Sequence, residues 1–510
     1  MPSPFLYDSP TVNEMQAERV SITGSMLYDL VACPHRLRMD TFADPSKRDP
    51  VSPFVQLLWK KGVLWENEVM ADLDTPFTDL SGYRGEEQEL KTHEAMRRGD
   101  ALIYAGRIRD GELLGVPDLL RREGAGYIAG DIKSGAGVEG SEDLTKRKKH
   151  YAVQLALYTD ILERTGISAE RRGFIWDIHG NEVDYDFVRP QSSRNPRTLW
   201  QEYEAVLLHA RAILSERQET RAAYAAICKL CHWHSACVKQ LKVADDLTLI
   251  PELGRTRRDV MMQSVPTVDA LAKADPSEFH EGEKTIFRGI GPATLGKFSE
   301  RARLLAAGPD ARPYLKEPLE LPSAPVELFF DIEVDPMRDH CYLHGFVERR
   351  NGDSKSERFV YFFAEGATEE AEKQAFAQAW EFMRASRPCA IYYYAPYEKT
   401  IYRKLRDKYS DVCSVDDLEA LFDATETVDL YTDVVRKYTE WPTHDYSLKT
   451  LARYLGFDWQ DTDPSGASSI EWFHQWTDTG DETIRQRILA YNEDDCRATR
   501  VLRDALQCMA

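Results

Sequence analysis

The chain has 510 residues, more than one ordinary core accommodates, and typical domain sizes predict about three domains. Its 43% hydrophobic and 29% charged residues place it among ordinary soluble globular proteins, and no stretch approaches the roughly 20 apolar residues that span a bilayer. The formal charge of -20 excludes simple wrapping of nucleic acid by a basic surface, but not an enzyme that gathers carboxylates at its centre and keeps basic patches local.

Met1 to Glu14 carries Pro, Asp and Glu where a signal peptide needs a basic start and an apolar run, which predicts a cytoplasmic protein without membrane attachment. A helix is expected after the cap residues Thr23 or Ser25, and another through Gln56–Leu73. Short strands are expected around Gly115–Leu120 and over Tyr127–Lys133, a helix over His150–Arg164, a strand over Arg172–Ile178, and a long helix over Thr198–Glu216. The basic runs Lys146-Arg147-Lys148-Lys149 and Arg255, Arg257, Arg258 are either local phosphate contacts or solvated loops. Leu247 to about Pro313 reads as short and helical, and Pro313, Pro318, Pro322 and Pro325 mark a linker. A new α/β unit opens with the apolar strand Val326–Asp331.

The first candidate centre sits at the end of the run Tyr127-Ile128-Ala129-Gly130. Strand residues two apart share a face, so Asp131 and Lys133 project together. A carboxylate there can hold a divalent cation, and a lysine can orient water or stabilise phosphate charge. Gly115-Val116-Pro117-Asp118 supplies a second carboxylate after a tight turn, and Gln154 and Tyr158 share a helix face. In this order, Gly-x-x-Asp, Asp-x-Lys-Ser-Gly and Gln-x-x-x-Tyr resemble the RecB-like branch of the PD-(D/E)XK nucleases over about residues 20–240. The resemblance implies that Asp118 and Asp131 bind metal, that Lys133 is the catalytic lysine, and that Gln154 and Tyr158 support the site. That family often has a metal-binding His in Gly-x-x-x-His of the first helix. After Gly62 this chain has Trp65, which cannot ligate, followed by Glu66. Either Glu66 takes over as a ligand or the centre is weakened.

Nine cysteines are too few for a disulfide scaffold, yet Cys228, Cys231 and Cys237 crowd into ten residues. With Cys33, in Cys33-Pro34-His35-Arg36, they supply four thiolates, which suit a [4Fe–4S] cluster. The pattern resembles the iron–sulfur RecB-like nucleases of AddB and CRISPR-associated type, in which the cluster pins the two ends of the domain. Two other readings stay open: a zinc site of Cys228, Cys231, His234 and Cys237, or free buried cysteines.

In the middle segment, Arg288-Gly289-Ile290-Gly291 between two helical stretches resembles a helix–hairpin–helix motif. Glycines let backbone N–H groups approach a phosphate, and the next helix N-terminus favours negative charge. Arg288, Lys297, Arg301 and Arg303 against the single acid Glu300 predict nucleic-acid contacts, with an ordinary turn between packed helices as the alternative.

Asp331 and Glu333 end the strand of the last unit at i and i+2, so both leave one face, and burying that pair without a cation is costly. Tyr491 and Asp495 share a face of a late helix, from which Asp494 points about 100° away. Asp-x-Glu on a first strand with Tyr-x-x-x-Asp on a late helix resembles the DEDD exonucleases of the RNase H-like fold, most closely the YprB-type domain, over about residues 324–508. The resemblance implies that Asp331, Glu333 and Asp495 hold metals and that Tyr491 orients the attacking water. The fourth acid is Glu398 in Tyr397-Glu398, or else Asp429, a residue type that more often starts a structural helix. Trp459, Trp472 and Trp476, in a stretch read as a loop from Trp459 to Glu482, would stack bases or anchor a local core.

The expected organisation is α/β throughout: a restriction-endonuclease-like domain with an iron–sulfur cluster over 1–245, a small helical helix–hairpin–helix connector over 246–316, and an RNase H-like DEDD domain over 317–510. The expected activity is phosphodiester hydrolysis with Mg2+ or Mn2+ on DNA ends or single strands, exonucleolytic and of 3'-5' type in the last domain, in repair or processing. RNA is the alternative substrate. The rival from another class is a nucleic-acid-binding subunit, with a decayed first centre, serving a helicase or repair partner. No Gly-Lys-Ser/Thr phosphate loop is present to make the chain itself a motor.

Overall fold

The computed structural model describes residues 21–140, 146–193, 195–423, 425–462 and 464–509, so Met1–Glu14 lies outside the described residues. The chain divides into two compact units, one running to Arg48 and from Leu58 to Arg221, the other comprising Asp49–Leu57 and everything from Ala222 onward. The expected connector and the expected C-terminal domain thus fall in one unit. The cysteine triplet, read from sequence as part of the first domain, belongs to that second unit as well.

The first unit is built on a six-stranded sheet with the order Glu182–Asp186, Ser168–Trp176, Gly126–Ile132, Leu119–Glu123, Leu102–Tyr104, Thr78–Asp79. Every residue of Gly126–Ile132 is buried. This strand pairs antiparallel with Leu119–Glu123 and parallel with Ser168–Trp176. A parallel pair needs a crossover, and the helix Lys149–Arg164 supplies it. From Tyr151 to Leu162 that helix buries every residue except Gln154. Thr23 caps the helix Gly24–Ala32 through the N–H of Met26, and a capping box of Thr198 and Gln201 starts the helix Leu199–Leu214.

The second unit contains a five-stranded sheet ordered Asp353–Phe363, His340–Arg350, Val326–Asp335, Cys389–Tyr393, Thr427–Asp429. The first three strands run antiparallel and the last two join in parallel. Val326–Asp335 is therefore central, and the 28-residue helix Glu482–Met509 packs across it. Residues 246–316 have their own small core, including Leu247, Ile250, Met261, Leu271, Phe287 and Phe298.

Four expectations change here. The segment directly before Gly289 is a short strand pair, His280–Glu281 with Lys284–Thr285, and not a helix. The nearest preceding α-helix, Val268–Lys273, packs against Pro292–Ala306. Second, the basic face expected there is largely engaged internally. Arg301 is buried between Glu440 (2.7 Å) and Glu252 (3.0 Å), Lys297 pairs with Glu252 at 2.8 Å, and Arg303 donates to the Ala272 carbonyl. Arg288 remains exposed. Arg258 in the other basic run is likewise buried, bonded to Asp246 and the Ala222 carbonyl. Third, the proline-rich stretch is not a free linker, because Tyr314–Leu315 pairs with Thr439–Glu440. Finally, the stretch read as a loop forms the helix Gly466–Thr479. Trp459 and Trp472 are buried, and Trp476 packs on Phe363 and Phe473.

Candidate active sites

In the first unit, the end of Gly126–Ile132 delivers Asp131, and the turn before Leu119–Glu123 delivers Asp118. The strand end and the turn are stitched together by their own acids: Asp118 N–H donates to Asp131 Oδ1 (3.3 Å), and Ile132 N–H donates to Asp118 Oδ2 (2.8 Å). Lys133 Nζ lies 3.0 Å from Asp131 Oδ2 and 3.9 Å from Asp118 Oδ2. Burial alone would lower the lysine's pKa, but the charges of Asp131 and Asp118 outweigh it and raise it, so the ammonium stays protonated. Burial pushes the Asp118 carboxyl well up, and the neighbouring Asp131 charge adds to this.

The supporting residues meet as the helix spacing predicts. Gln154 Nε2 donates to the Tyr158 hydroxyl at 2.9 Å. Two glycines make room for this pair: a Cβ on Gly115 would sit 2.7 Å from Tyr158 Cδ1, and one on Gly24 would sit 2.9 Å from Gln154 Cγ. Both would collide, which explains the Gly in the turn before Asp118.

Glu66, from the helix Pro53–Ala71, accepts a hydrogen bond from the Tyr104 hydroxyl at 2.8 Å. Burial raises its carboxyl, the Tyr104 bond opposes that, and the charge of nearby Asp131 adds to the rise. Trp65 packs with the core around Met70, Ile128 and Phe174, its indole N–H buried and without a hydrogen-bond partner among the described residues. Glu66, Asp118 and Asp131 are not drawn within 4.8 Å of one another. A lysine already sits against both aspartates here, so this centre is partly neutralised from within.

In the second unit the acids converge. Among the described residues, Asp331, Glu333 and Asp495 are the one set of three His, Cys, Asp or Glu residues whose ligand atoms all lie within 4.8 Å of one another. Strand pleat supplies the first two and the long helix the third. Burial raises all three carboxyls; at Asp331 the charges of Asp495 and Glu333 add to the rise, and Glu333 is pushed up to about 8 by burial and by the Asp495 charge. Glu398, on the helix Tyr397–Lys408, is also buried, and its charge adds to the rise at Asp331. Its Oε2 has no hydrogen-bond partner among the described residues. A buried carboxylate oxygen left without a donor fits a cation as partner, so this donor set suits a divalent metal ion.

Asp429, the alternative fourth acid, is used structurally: its Oδ1 accepts from the backbone N–H groups of Ala395, Tyr431 and Thr432. Asp494 faces away and accepts from Gln460 N and Nε2. Tyr491 is buried, and its hydroxyl accepts from Lys449 Nζ at 2.7 Å.

Near this centre, Asn492 and Lys449 were not singled out from sequence, and Trp459 was read there only as a base stacker or core anchor. Asn492 Nδ2 donates to Asp331 Oδ2 at 2.7 Å, and its position three residues before Asp495 on the helix was a usable signal. Trp459 Nε1 donates to Asp495 Oδ1 at 2.8 Å. Lys449, 4.0 Å from Asp495, arrives on the short helix Leu448–Tyr454, for which the sequence carries no comparable cue.

The four cysteines of the expected cluster differ from the others in exposure. Cys33, Cys228, Cys231 and Cys237 are half-buried, whereas Cys341, Cys389, Cys413 and Cys496 are core residues and Cys508 is exposed; none is in a disulfide. Cys228 lies in the 3-10 turn Ala226–Leu230, Cys231 just after it, and Cys237 in the first turn of His234–Ala244. Cys33 joins the helices Gly24–Ala32 and Pro34–Phe42.

Comparison with family models finds the PD-(D/E)XK nuclease superfamily over residues 68–238, a span that includes Asp118, Asp131, Lys133, Gln154 and Tyr158. It finds the RNase_H superfamily over residues 328–507, which spans Asp331, Glu333, Glu398, Tyr491 and Asp495. A search among curated proteins finds no match. Domains of both kinds typically use divalent metals and act on nucleic acid. The chain therefore joins a restriction-endonuclease-like domain of the PD-(D/E)XK nuclease superfamily to an RNase H-like domain of the RNase H superfamily, and is of nuclease type.

Proposed function

We propose that this chain is a metal-dependent nuclease that hydrolyses phosphodiester bonds of DNA at ends or in single strands, with the RNase H-like centre as a 3'-5' exonuclease. The observation that carries the reading is the convergence of half-buried Asp331 with buried Glu333 and Asp495 within 4.8 Å. These three would hold Mg2+ or Mn2+, with Glu398 as the fourth acid. A bound divalent ion supplies charge neutralisation at the phosphate and a lowered water pKa. Asn492 fixes the orientation of Asp331, Trp459 fixes that of Asp495, and Tyr491, itself held by Lys449, orients the incoming water.

In the first centre, Asp118 and Asp131 would hold a metal ion with Glu66, and Lys133 would stabilise phosphate charge. The ion pairs of Lys133 with both aspartates favour a second reading for this domain alone: it binds nucleic acid for the other centre or for a helicase or repair partner. Cys33, Cys228, Cys231 and Cys237 would hold a [4Fe–4S] cluster of structural role, a reading supported by the suitability of four thiolates for such a cluster. Gly289, Gly291 and Arg288 would touch backbone phosphates, and Lys297 would join them on exchanging Glu252 for a phosphate. A Cβ on either glycine would meet open space, which leaves the backbone approachable.

The test is degradation of end-labelled DNA and RNA strands with Mg2+ or Mn2+ by the unaltered chain, Asp331→Ala and Lys133→Ala. Loss with Asp331→Ala is expected. Unchanged degradation by both variants would remove both centres from the reaction.

A further inference from the structure

Two cations of the short helix Leu448–Tyr454 stand over the same tryptophan. Lys449 Nζ and the Arg453 guanidinium carbon each lie 5.7 Å from the centroid of Trp459. Trp459 is buried, and its N–H is bonded to the metal-site residue Asp495. The ring is thus a wall with the acidic centre on its N–H edge and both cations against its ring system. Lys449 also reaches Tyr491, while Arg453 is exposed one helical turn further out. Four residues of helix advance about 6 Å, close to the spacing of neighbouring phosphates in an extended strand.

We propose that Lys449 and Arg453 form a two-phosphate track for the strand entering the acidic centre, a specificity feature that rests on the nuclease reading of that centre. Lys449 takes the phosphate beside the one being cleaved, and Arg453 takes the next outward. Trp459 holds both cations in line with Asp495 and is not itself a base-stacking platform, since its ring is already covered. A track of this kind grips the backbone and ignores base identity.

The experiment uses the full chain, both unaltered at the first centre and carrying Lys133→Ala, with short single-stranded oligonucleotides. Each oligonucleotide carries one neutral methylphosphonate at a successive linkage from either end, and KM and kcat are measured with Mn2+. With Lys449 and Arg453 in place, two adjacent linkages should each raise KM several-fold when neutralised, with kcat less affected at the outer one. Arg453→Gln should become indifferent to the outer linkage while keeping sensitivity at the inner one, and Arg453→Lys should restore it. The slope of log affinity against log salt should fall by about 0.7 with Arg453→Gln, as expected for one lost single-strand phosphate contact. If Arg453→Gln keeps both the methylphosphonate pattern and the salt slope, the track is wrong and the nuclease reading stands. If the unaltered chain neither binds nor cuts unmodified strands, the reading beneath it fails as well.

Discussion

Asn492 Nδ2 donates to Asp331 Oδ2 at 2.7 Å, tying the long last helix to the central strand of the second unit's sheet. The contact is possible because residue 345, on the adjacent strand, is glycine: a Cβ there would lie 1.6 Å from Asn492 Oδ1. One missing methyl group thus sets the seat of the Asp331 carboxylate.

Gly345→Ala should force Asn492 out of place and misorient Asp331. The expected result is a folded protein whose nuclease rate falls about 10–100-fold, the usual cost of losing an outer-shell partner. Asn492→Ala should give the same loss with less effect on thermal stability. Rates unchanged in both variants, in a steady-state assay on end-labelled strands, would remove Asn492 from the positioning role.

Burial of Glu333, with repulsion from Asp495 added, makes the metal-free protein sensitive to pH. Glu333 has an ordinary value of 4.5 and is raised to about 8 in the fold. Between those values the folded chain binds more protons than the unfolded chain, so stability falls as pH rises through the window. The metal-free unfolding temperature should drop between about pH 5 and pH 8, Glu333→Gln should flatten the drop, and Mn2+ should restore more stability at the upper end than at the lower. A metal-free midpoint that climbs over this range would contradict the account.

Lys133→Met leaves Asp118 and buried Asp131 facing each other without their cation. Breaking such a pair costs about 3–5 kcal/mol when fully buried, and a value at the low end is expected because part of the lysine is exposed. Thermal unfolding should show Mn2+ stabilising this variant more than the unaltered chain, since the ion replaces the lost ammonium. Equal metal responses would mean that Asp118 and Asp131 do not receive an ion.

The cysteine assignment separates by colour and metal content. Anaerobically purified protein should be brown, with broad visible absorption that disappears in Cys231→Ser. A colourless protein that releases zinc on thiol oxidation would replace the iron–sulfur reading with the zinc one.

Much of this arrangement was legible because local periodicity is short-range. Asp131 and Lys133 at a strand end, Gln154 with Tyr158 and Tyr491 with Asp495 on helices, and Asp331 with Glu333 all follow from two fixed spacings. What escaped detection depends on distant chain. Lys449 reaches Tyr491 across 42 positions, and Trp459 reaches Asp495 across 36. The arginines of the connector looked like a binding face because their partners are remote: Arg301 meets Glu440, 139 residues away. Polar residues between Trp459 and Glu482 masked a helix whose aromatic side packs on Phe363 and Tyr491.

A divalent ion should settle among the three converging acids of the second unit. Crystals of the full chain soaked in Mn2+ and measured at the manganese absorption edge test it directly. An anomalous peak between the carboxylates of Asp331, Glu333 and Asp495, absent in Asp331→Ala, is the predicted outcome. Manganese found elsewhere in the molecule, with no peak among those three carboxylates, would contradict it.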